Sequence, residues 1–281
     1  MENYIGEWMR PIFLVACTLA VVLMEGCSMP VDTLIVGHRG ASADAPENTL
    51  GAFRLAFAQG ADWVEGDVRL TKDGEVVCIH DDTTERVTGG QHLFVIEDTG
   101  YESLAMLDVG SWKSPEYAHE RIPTLKDVID ILPSDKGLLV ELKGGRALGE
   151  AAARVVRRCT CDKNQVIFIS FDAEALRACK TIAPEFEVWL VSGFSNTGSK
   201  AEWSPTASEL ILEAISVGAS GIDVHAHKDV VNKAFVSEVL ASGLSMNVWT
   251  VDDPVYAQQL AVMGVASITT NVPAKMQEYI D

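Results

Sequence analysis

The sequence predicts a (β/α)8 TIM barrel carrying one insertion, and three observations predict it. From residue 33 onward, short apolar runs alternate with amphipathic stretches. Eight such runs remain once the return run Val76–His80 is set aside. The runs are continuous rather than alternating in polarity, as strands covered on both faces are. Eight β/α units in about 250 residues are what such a barrel needs. A doubly wound open sheet has the same periodicity and is the alternative.

The elements follow in order. "TLIVGH" reads as the first strand, and "ENTLGAFRLAFAQG" as a helix with Leu50, Phe53 and Phe57 on one face and Gly60 as its stop. "DWVEGDVRL" is the second strand, Thr71-Lys72-Asp73-Gly74 a turn, and "EVVCIHD" its returning partner. Residues 83 to 122 break the rhythm and read as a functional insertion after this hairpin, since so long a stretch between regular elements is usually functional. A helix then runs from Pro123 to Leu132 and leads to the strand "GLLVELK". Helices at 147–158, 173–182, 206–217, 229–242, 254–263 and 273–280 interleave with "VIFISF", "FEVWLV", "GIDVHA", "MNVWTV" and "ASITTN".

Residues 1–31 stand apart as a leader. Ile12–Met24 is apolar except for Thr18, and at thirteen residues it is shorter than the ~20 of a spanning helix, which fits the core of a signal peptide. "EGCSMP" follows and is similar to a bacterial lipoprotein cleavage site with Cys27 as the lipidated residue. The expectation is export to the cell envelope or periplasm, with membrane association through the N-terminus; an uncleaved anchor is the alternative. Residues 32–281 form the barrel domain, and its four cysteines, Cys78, Cys159, Cys161 and Cys179, lack a Cys-x-x-Cys pair and read as packing thiols.

A net charge of -18 excludes nucleic acid as a partner, because phosphate backbones are held by an excess of Lys and Arg. An anionic substrate would have to be drawn in by a local site. In a barrel that site lies at the C-terminal strand ends. There the sequence puts His38 and Arg39 on strand one, Glu65 and Asp67 on strand two, His80 and Asp81 on the return strand, Glu141 and Lys143 on strand three, and Trp249 and Asn271 on the last two. Residues two apart on a strand share a face, so Glu65/Asp67 and Glu141/Lys143 each point one way. Three carboxylates at one mouth repel unless a cation joins them, and an all-oxygen set favours one divalent cation, Mg²⁺ or Ca²⁺. Two flanking histidines can serve as base and acid, and Arg39 and Lys143 can hold an anionic group. Together these suggest phosphate-ester chemistry.

His38-Arg39-Gly40, Glu47-Asn48-Thr49, Gly60-Ala61-Asp62, Glu65-x-Asp67-Val68, Thr71-Lys72-Asp73-Gly74, His80-Asp81, Pro123-Thr124-Leu125, Glu141-Leu142-Lys143 and Trp249-Thr250 together resemble the glycerophosphodiester phosphodiesterase family, in order and over nearly all of the barrel. The resemblance implies a metal-dependent hydrolase that releases glycerol 3-phosphate and an alcohol from small glycerophosphodiesters. It makes Glu65, Asp67 and Glu141 the metal ligands and His38 and His80 the acid–base pair. It places Arg39, Lys143, Glu47 and Trp249 at the substrate, Arg39 and Lys143 on its phosphate and Glu47 near the metal or glycerol end, and it makes the segment after His80 a small cap insertion that shapes the leaving-group pocket. Three departures stand out: Thr84-Glu85-Arg86 for a common Asp-Arg pair, Thr270-Asn271 for a frequent Thr-Asp, and Gly66 between the ligands. His225 and His227 read as peripheral, with secondary substrate contact as the alternative. Rival readings are a lysophospholipase D-type activity at a membrane, a carboxylate-pair glycosidase, and a non-catalytic lipoprotein.

Overall fold

A computed structural model of the chain describes residues 33–196 and 203–280. The leader and Cys27 lie outside the described residues. The chain opens with β1 (Leu34–His38), α1 (Leu50–Ala58), β2 (Trp63–Leu70) and β3 (Val76–Cys78). An insertion holding the short helix α2 (Tyr101–Leu104) leads to α3 (Leu125–Asp130). There follow β4 (Gly137–Leu142), α4 (Arg146–Arg158), β5 (Val166–Ser170), α5 (Ala173–Ile182) and β6 (Glu187–Ser192). A two-stranded ribbon, β7 (Ser195–Asn196) and β8 (Trp203–Ser204), precedes α6 (Ala207–Ser216). The chain ends with β9 (Gly221–His225), α7 (Lys233–Ala241), β10 (Ser245–Trp249), α8 (Pro254–Met263), β11 (Ser267–Thr270) and α9 (Pro273–Ile280).

The main sheet runs β1-β11-β10-β9-β6-β5-β4-β2, and β1 also pairs with β2, so the eight parallel strands close on themselves. That closing pair excludes the open doubly wound alternative. β3 lies antiparallel on β2 outside the ring.

Six of the helices start where a side chain accepts from the first free backbone amides, while α2 and α4 start after Gly100 and Gly145 without one. Thr49, Asp172, Asn232 and Asp253 do this singly, while Thr124 with Asp127 and Thr206 with Glu209 form capping boxes. One core fills the layer between helices and strands around Phe53, Phe168 and Leu138. A second fills the barrel interior with Val36, Leu139, Ile167, Ile169, Trp189 and Val191. Two tryptophans there lie on bare backbone of the next strand. A Cβ on Gly137 would come 2.2 Å from the Trp63 ring, and one on Gly221 would come 2.7 Å from the Trp189 ring. Strand pairing sets both contacts, since Trp63 is opposite Gly137 and Trp189 opposite Gly221.

The insertion has a small core of its own, in which Val87, Ile96, Leu104, Leu107, Val109 and Ile122 pack on Val77 and Ile79 of the return segment. Two expectations shift. The return strand ends at Cys78 because its amide bonds to the carbonyl of Pro123, at the end of the insertion, so His80 sits in a bend and not on the strand. The expected helix 229–242 starts only at Lys233, because Asn232 accepts from the amides of Ala234 and Phe235 and fixes the first turn there.

Candidate active site at the C-terminal mouth of the barrel

The His38-Arg39-Gly40 turn is built by contact as well as by chemistry. Arg39 takes a left-handed backbone (φ 55°), and Gly40 (φ 82°) approaches α1 so closely that a Cβ would lie 2.5 Å from the Ala52 carbonyl carbon. This bend turns the Arg39 amide toward Glu65, whose Oε2 accepts from it at 2.9 Å. The guanidinium reaches Asp67 through Nε at 3.0 Å and Glu47 through Nη1 at 3.0 Å. Asn48, also left-handed (φ 57°), clamps Asp67 from both sides: its amide nitrogen donates to Asp67 Oδ2 (2.9 Å) and its oxygen accepts from the Asp67 backbone (3.1 Å).

Glu65, Asp67 and Glu141 are buried, and ligand oxygens of all three lie within 4.8 Å of one another. Glu65 Oε1 has no hydrogen-bond donor. Lys143 Nζ meets Glu141 Oε1 at 2.5 Å and Asp67 Oδ1 at 3.1 Å, though the second contact is an ion pair without hydrogen-bond geometry. Burial, then the charges of Asp67 and Glu141, push the Glu65 carboxyl well above the usual carboxylate range. Burial and Asp67 push Glu141 up to about 7. Burial also acts against an ionised Asp67, but Arg39, Lys143 and His80 outweigh it and hold that carboxyl below its ordinary value. An acid cluster with an orphaned buried oxygen and two carboxyls resisting ionisation fits a divalent cation better than it fits its present two cations.

His38 and His80 line the same cleft of about 210 Å³ with Glu65, Glu141, Lys143 and Trp249. His38 Nδ1 lies 2.7 Å from Asn271 Oδ1, and burial, then Arg39, lower its pKa. His80 Nδ1 lies 2.8 Å from Asp81 Oδ1. Arg86 from the insertion binds Asp81 and Glu47 together, bridging Asp81 (2.7 Å) and Glu47 (2.8 Å). Hydrogen bonding from Arg86 holds Asp81 down to about 2 despite partial burial.

His38, Arg39, Glu65, His80, Glu141, Lys143 and Trp249 therefore line one cleft, with Asp67 against Glu65 and Glu141 and with Glu47 in the adjoining hollow. Arg39 pairs with Glu47 and Asp67, and Lys143 with Asp67 and Glu141. His225 is not isolated from the site, because its ring meets Trp249 edge to face at 5.3 Å, and His227 lies beyond it against Trp203. Four contributors escaped sequence reasoning. Asn48 stood in a quoted motif without a role. Arg86 acts from a 3-10 turn of the insertion, and Asp252 from the segment after β10, where it accepts from Asn271 Nδ2 at 2.7 Å. Asp223 lies inside the barrel on β9, where burial raises its carboxyl to about 8 while Asn247 donates to it at 2.6 Å. A carboxylate within the apolar run "GIDVHA" was the available signal for the last.

Comparison with known proteins agrees with this geometry. Residues 38–275 match the model of the glycerophosphoryl diester phosphodiesterase family. A Caldanaerobacter subterraneus protein named glycerophosphodiester phosphodiesterase is 33% identical over 246 residues, covering 86% of this chain and 95% of that one. The solved structure of an Oleispira antarctica phosphodiesterase, in complex with its product sn-glycerol 3-phosphate, is similar at 31% identity and a TM-score of 0.75, with 88% of this chain and 96% of that one covered. A glycerophosphodiester phosphodiesterase from Agrobacterium tumefaciens is similar at 26% identity and a TM-score of 0.72, with 88% and 99% covered.

Proposed function

The chain belongs to the glycerophosphoryl diester phosphodiesterase family, and from that premise we propose that it hydrolyses small glycerophosphodiesters to glycerol 3-phosphate and an alcohol by metal-assisted acid–base catalysis. The observation that carries the reading is the buried Glu65/Asp67/Glu141 cluster, with its orphaned oxygen, opening on a cleft that two imidazoles share. Glu65, Asp67 and Glu141 would hold one divalent cation, Mg²⁺ or Ca²⁺, which when bound supplies Lewis-acid stabilisation of the charge that builds on the phosphoryl group.

The chain's own side chains do the rest. One imidazole takes the proton of the substrate's glycerol hydroxyl next to the phosphoester carbon, and that oxygen attacks phosphorus, with the advantage of an intramolecular nucleophile. The bond from phosphorus to the alcohol breaks as the other imidazole gives its proton to the departing oxygen. In the second half water attacks the cyclic phosphate, loses its proton to the second imidazole, and the glycerol oxygen regains its proton from the first. Arg39 and Lys143 would trade part of their carboxylate pairing for phosphate oxygens, Glu47 would keep Arg39 in place, and Trp249 would flank the organic part of the substrate.

The test is product analysis on glycerophosphocholine, glycerophosphoethanolamine and glycerophosphoglycerol with Mg²⁺, with Ca²⁺ and with chelator. Glycerol 3-phosphate is expected only where a cation is present. Turnover that survives chelation would overturn the role of the cation, and a carboxylate-pair glycosidase would leave all three diesters intact. A second reading, lysophospholipase D-type cleavage, has one supporting feature: the insertion exposes Leu93, Phe94, Val95 and Met106. Lysophosphatidylcholine beside glycerophosphocholine separates the two. We also propose export through the Ile12–Met24 leader and anchoring at Cys27, tested by lipid labelling of the Cys27→Ala protein.

A further inference from the structure

The two imidazoles of the site have different partners behind them, and the difference can be read as a difference in task. Behind His38 stands a chain of hydrogen bonds. Asp252, just after the β10 turn, accepts at Oδ2 from Asn271 Nδ2 (2.7 Å) and at Oδ1 from the Asn271 backbone amide (2.8 Å) and the Thr270 hydroxyl (2.9 Å). An ionised carboxylate can only accept, so the side-chain nitrogen of Asn271 must face Asp252. Its oxygen must then face His38, 2.7 Å from Nδ1, with Ser42 Oγ donating to the same oxygen at 2.8 Å. An amide oxygen also can only accept. Nδ1 of His38 must therefore carry the proton, and the lone pair of the neutral ring is left on Nε2. Behind His80 stands the carboxylate of Asp81, itself gripped by Arg86.

We propose that Asp252, acting through Asn271, is a positioning residue that locks His38 as the Nδ1–H tautomer and makes it the general base, which leaves His80 as the general acid. This rests on the phosphodiesterase reading above and names the parts within it. The amide oxygen fixes the tautomer, while burial and the Arg39 guanidinium disfavour the positive ring, which suits a group that must start unprotonated. With His38 unprotonated at the start, the proton that the departing alcohol needs comes from the other imidazole, His80, whose ring Asp81 orients through Nδ1 at 2.8 Å. In the first half-reaction the glycerol hydroxyl proton passes to His38 Nε2, the glycerol oxygen–phosphorus bond forms, the phosphorus–alcohol bond breaks, and the His80 Nε2 proton goes to the alcohol. Ring opening by water returns both protons along the same routes.

Asp252→Asn is the sharpest variant, because it keeps shape and reverses the logic. The new amide turns its oxygen to the backbone donors, presents nitrogen to Asn271, and drives that amide to flip, so that a donor faces His38 Nδ1 and the ring is held in the wrong tautomer. Adding Asn271→Asp restores an acceptor beside Nδ1. The assays use glycerophosphocholine, whose alcohol needs a proton to leave, and the p-nitrophenyl ester of glycerol phosphate, whose phenolate does not. With metal present, Asp252→Asn and His38→Gln should each lose about 10²-fold or more on both esters. Asp252→Asn/Asn271→Asp should return to within about tenfold of the wild type. His80→Gln should lose about 10²-fold or more on glycerophosphocholine and recover most of that loss on the p-nitrophenyl ester. In the unmutated protein, ¹⁵N shifts of the His38 ring should show Nε2 as the unprotonated nitrogen, a readout independent of how any variant folds. An unprotonated Nδ1, an Asp252→Asn protein within about twofold of the wild type, or rescue of His38→Gln instead of His80→Gln overturns the proposal. A wild type silent on both esters overturns the phosphodiesterase reading first, and is thereby distinguished from a failure of the assignment alone.

Discussion

The two mouths of the barrel are made by the same strands and differ in almost everything else. β1 contributes Val36 to the lower interior and His38 to the upper; β2 contributes Trp63 below and Glu65 and Asp67 above; β4 contributes Leu139 below and Glu141 above. Below, two indoles lie on glycine backbone and the packing is apolar, so each contact stabilises the fold. Above, three carboxylates are crowded together, and desolvation together with like charge works against the fold unless a cation joins them. The strand alternation of two residues lets one ladder of hydrogen bonds carry both layers. The lower layer supplies the stability that permits the strain of the upper one.

Four experiments break or sharpen this contrast. The largest effect is expected at the upper mouth. Glu65→Gln keeps the volume and removes a charge, so turnover should fall by about 10³-fold while the metal-free protein becomes more stable, its midpoint in denaturant rising. An unchanged metal titration would show that Glu65 is no ligand. At the lower mouth the pattern should invert. Trp189→Ala empties a site where the ring is only 6% exposed, and should cost about 3–5 kcal/mol with turnover per folded molecule preserved. Gly221→Ala, which pushes on the same ring, should cost less, about 1–3 kcal/mol.

The smallest effect is the pH dependence of metal-free stability. Glu141, raised to about 7, and Asp223, raised to about 8, both bind protons more tightly folded than unfolded. Their contribution is full below the ordinary carboxylate range and is lost as pH rises toward 7 and 8, so metal-free stability should fall between pH 5 and 8. Asp67 and Asp81, with lowered values, act the other way only below about pH 4. Denaturant titrations with chelator should show this slope. Saturating Mg²⁺ or Ca²⁺ should flatten the Glu141 part, and Asp223→Asn should remove the other.

What the sequence alone determined about this protein is whatever depends on short-range pattern. Strand and helix order followed from periodicity, because hydrogen-bonded ladders and apolar faces are local. The candidates His38, Glu65, Asp67, His80 and Glu141 followed because polar residues ending apolar runs stand out. Tertiary structure decided what depends on closure. The β1–β2 pair made a barrel of strands that could equally have lain open, since that contact leaves no local trace. It also brought Asn48 to Asp67, Arg86 across to Glu47, and Asn271 with Asp252 behind His38. A polar loop residue looks the same in sequence whether it meets water or a catalytic ring. Only the three-dimensional path of the chain chooses between them, because hydrogen-bond partners are set by distance and direction and not by order along the backbone.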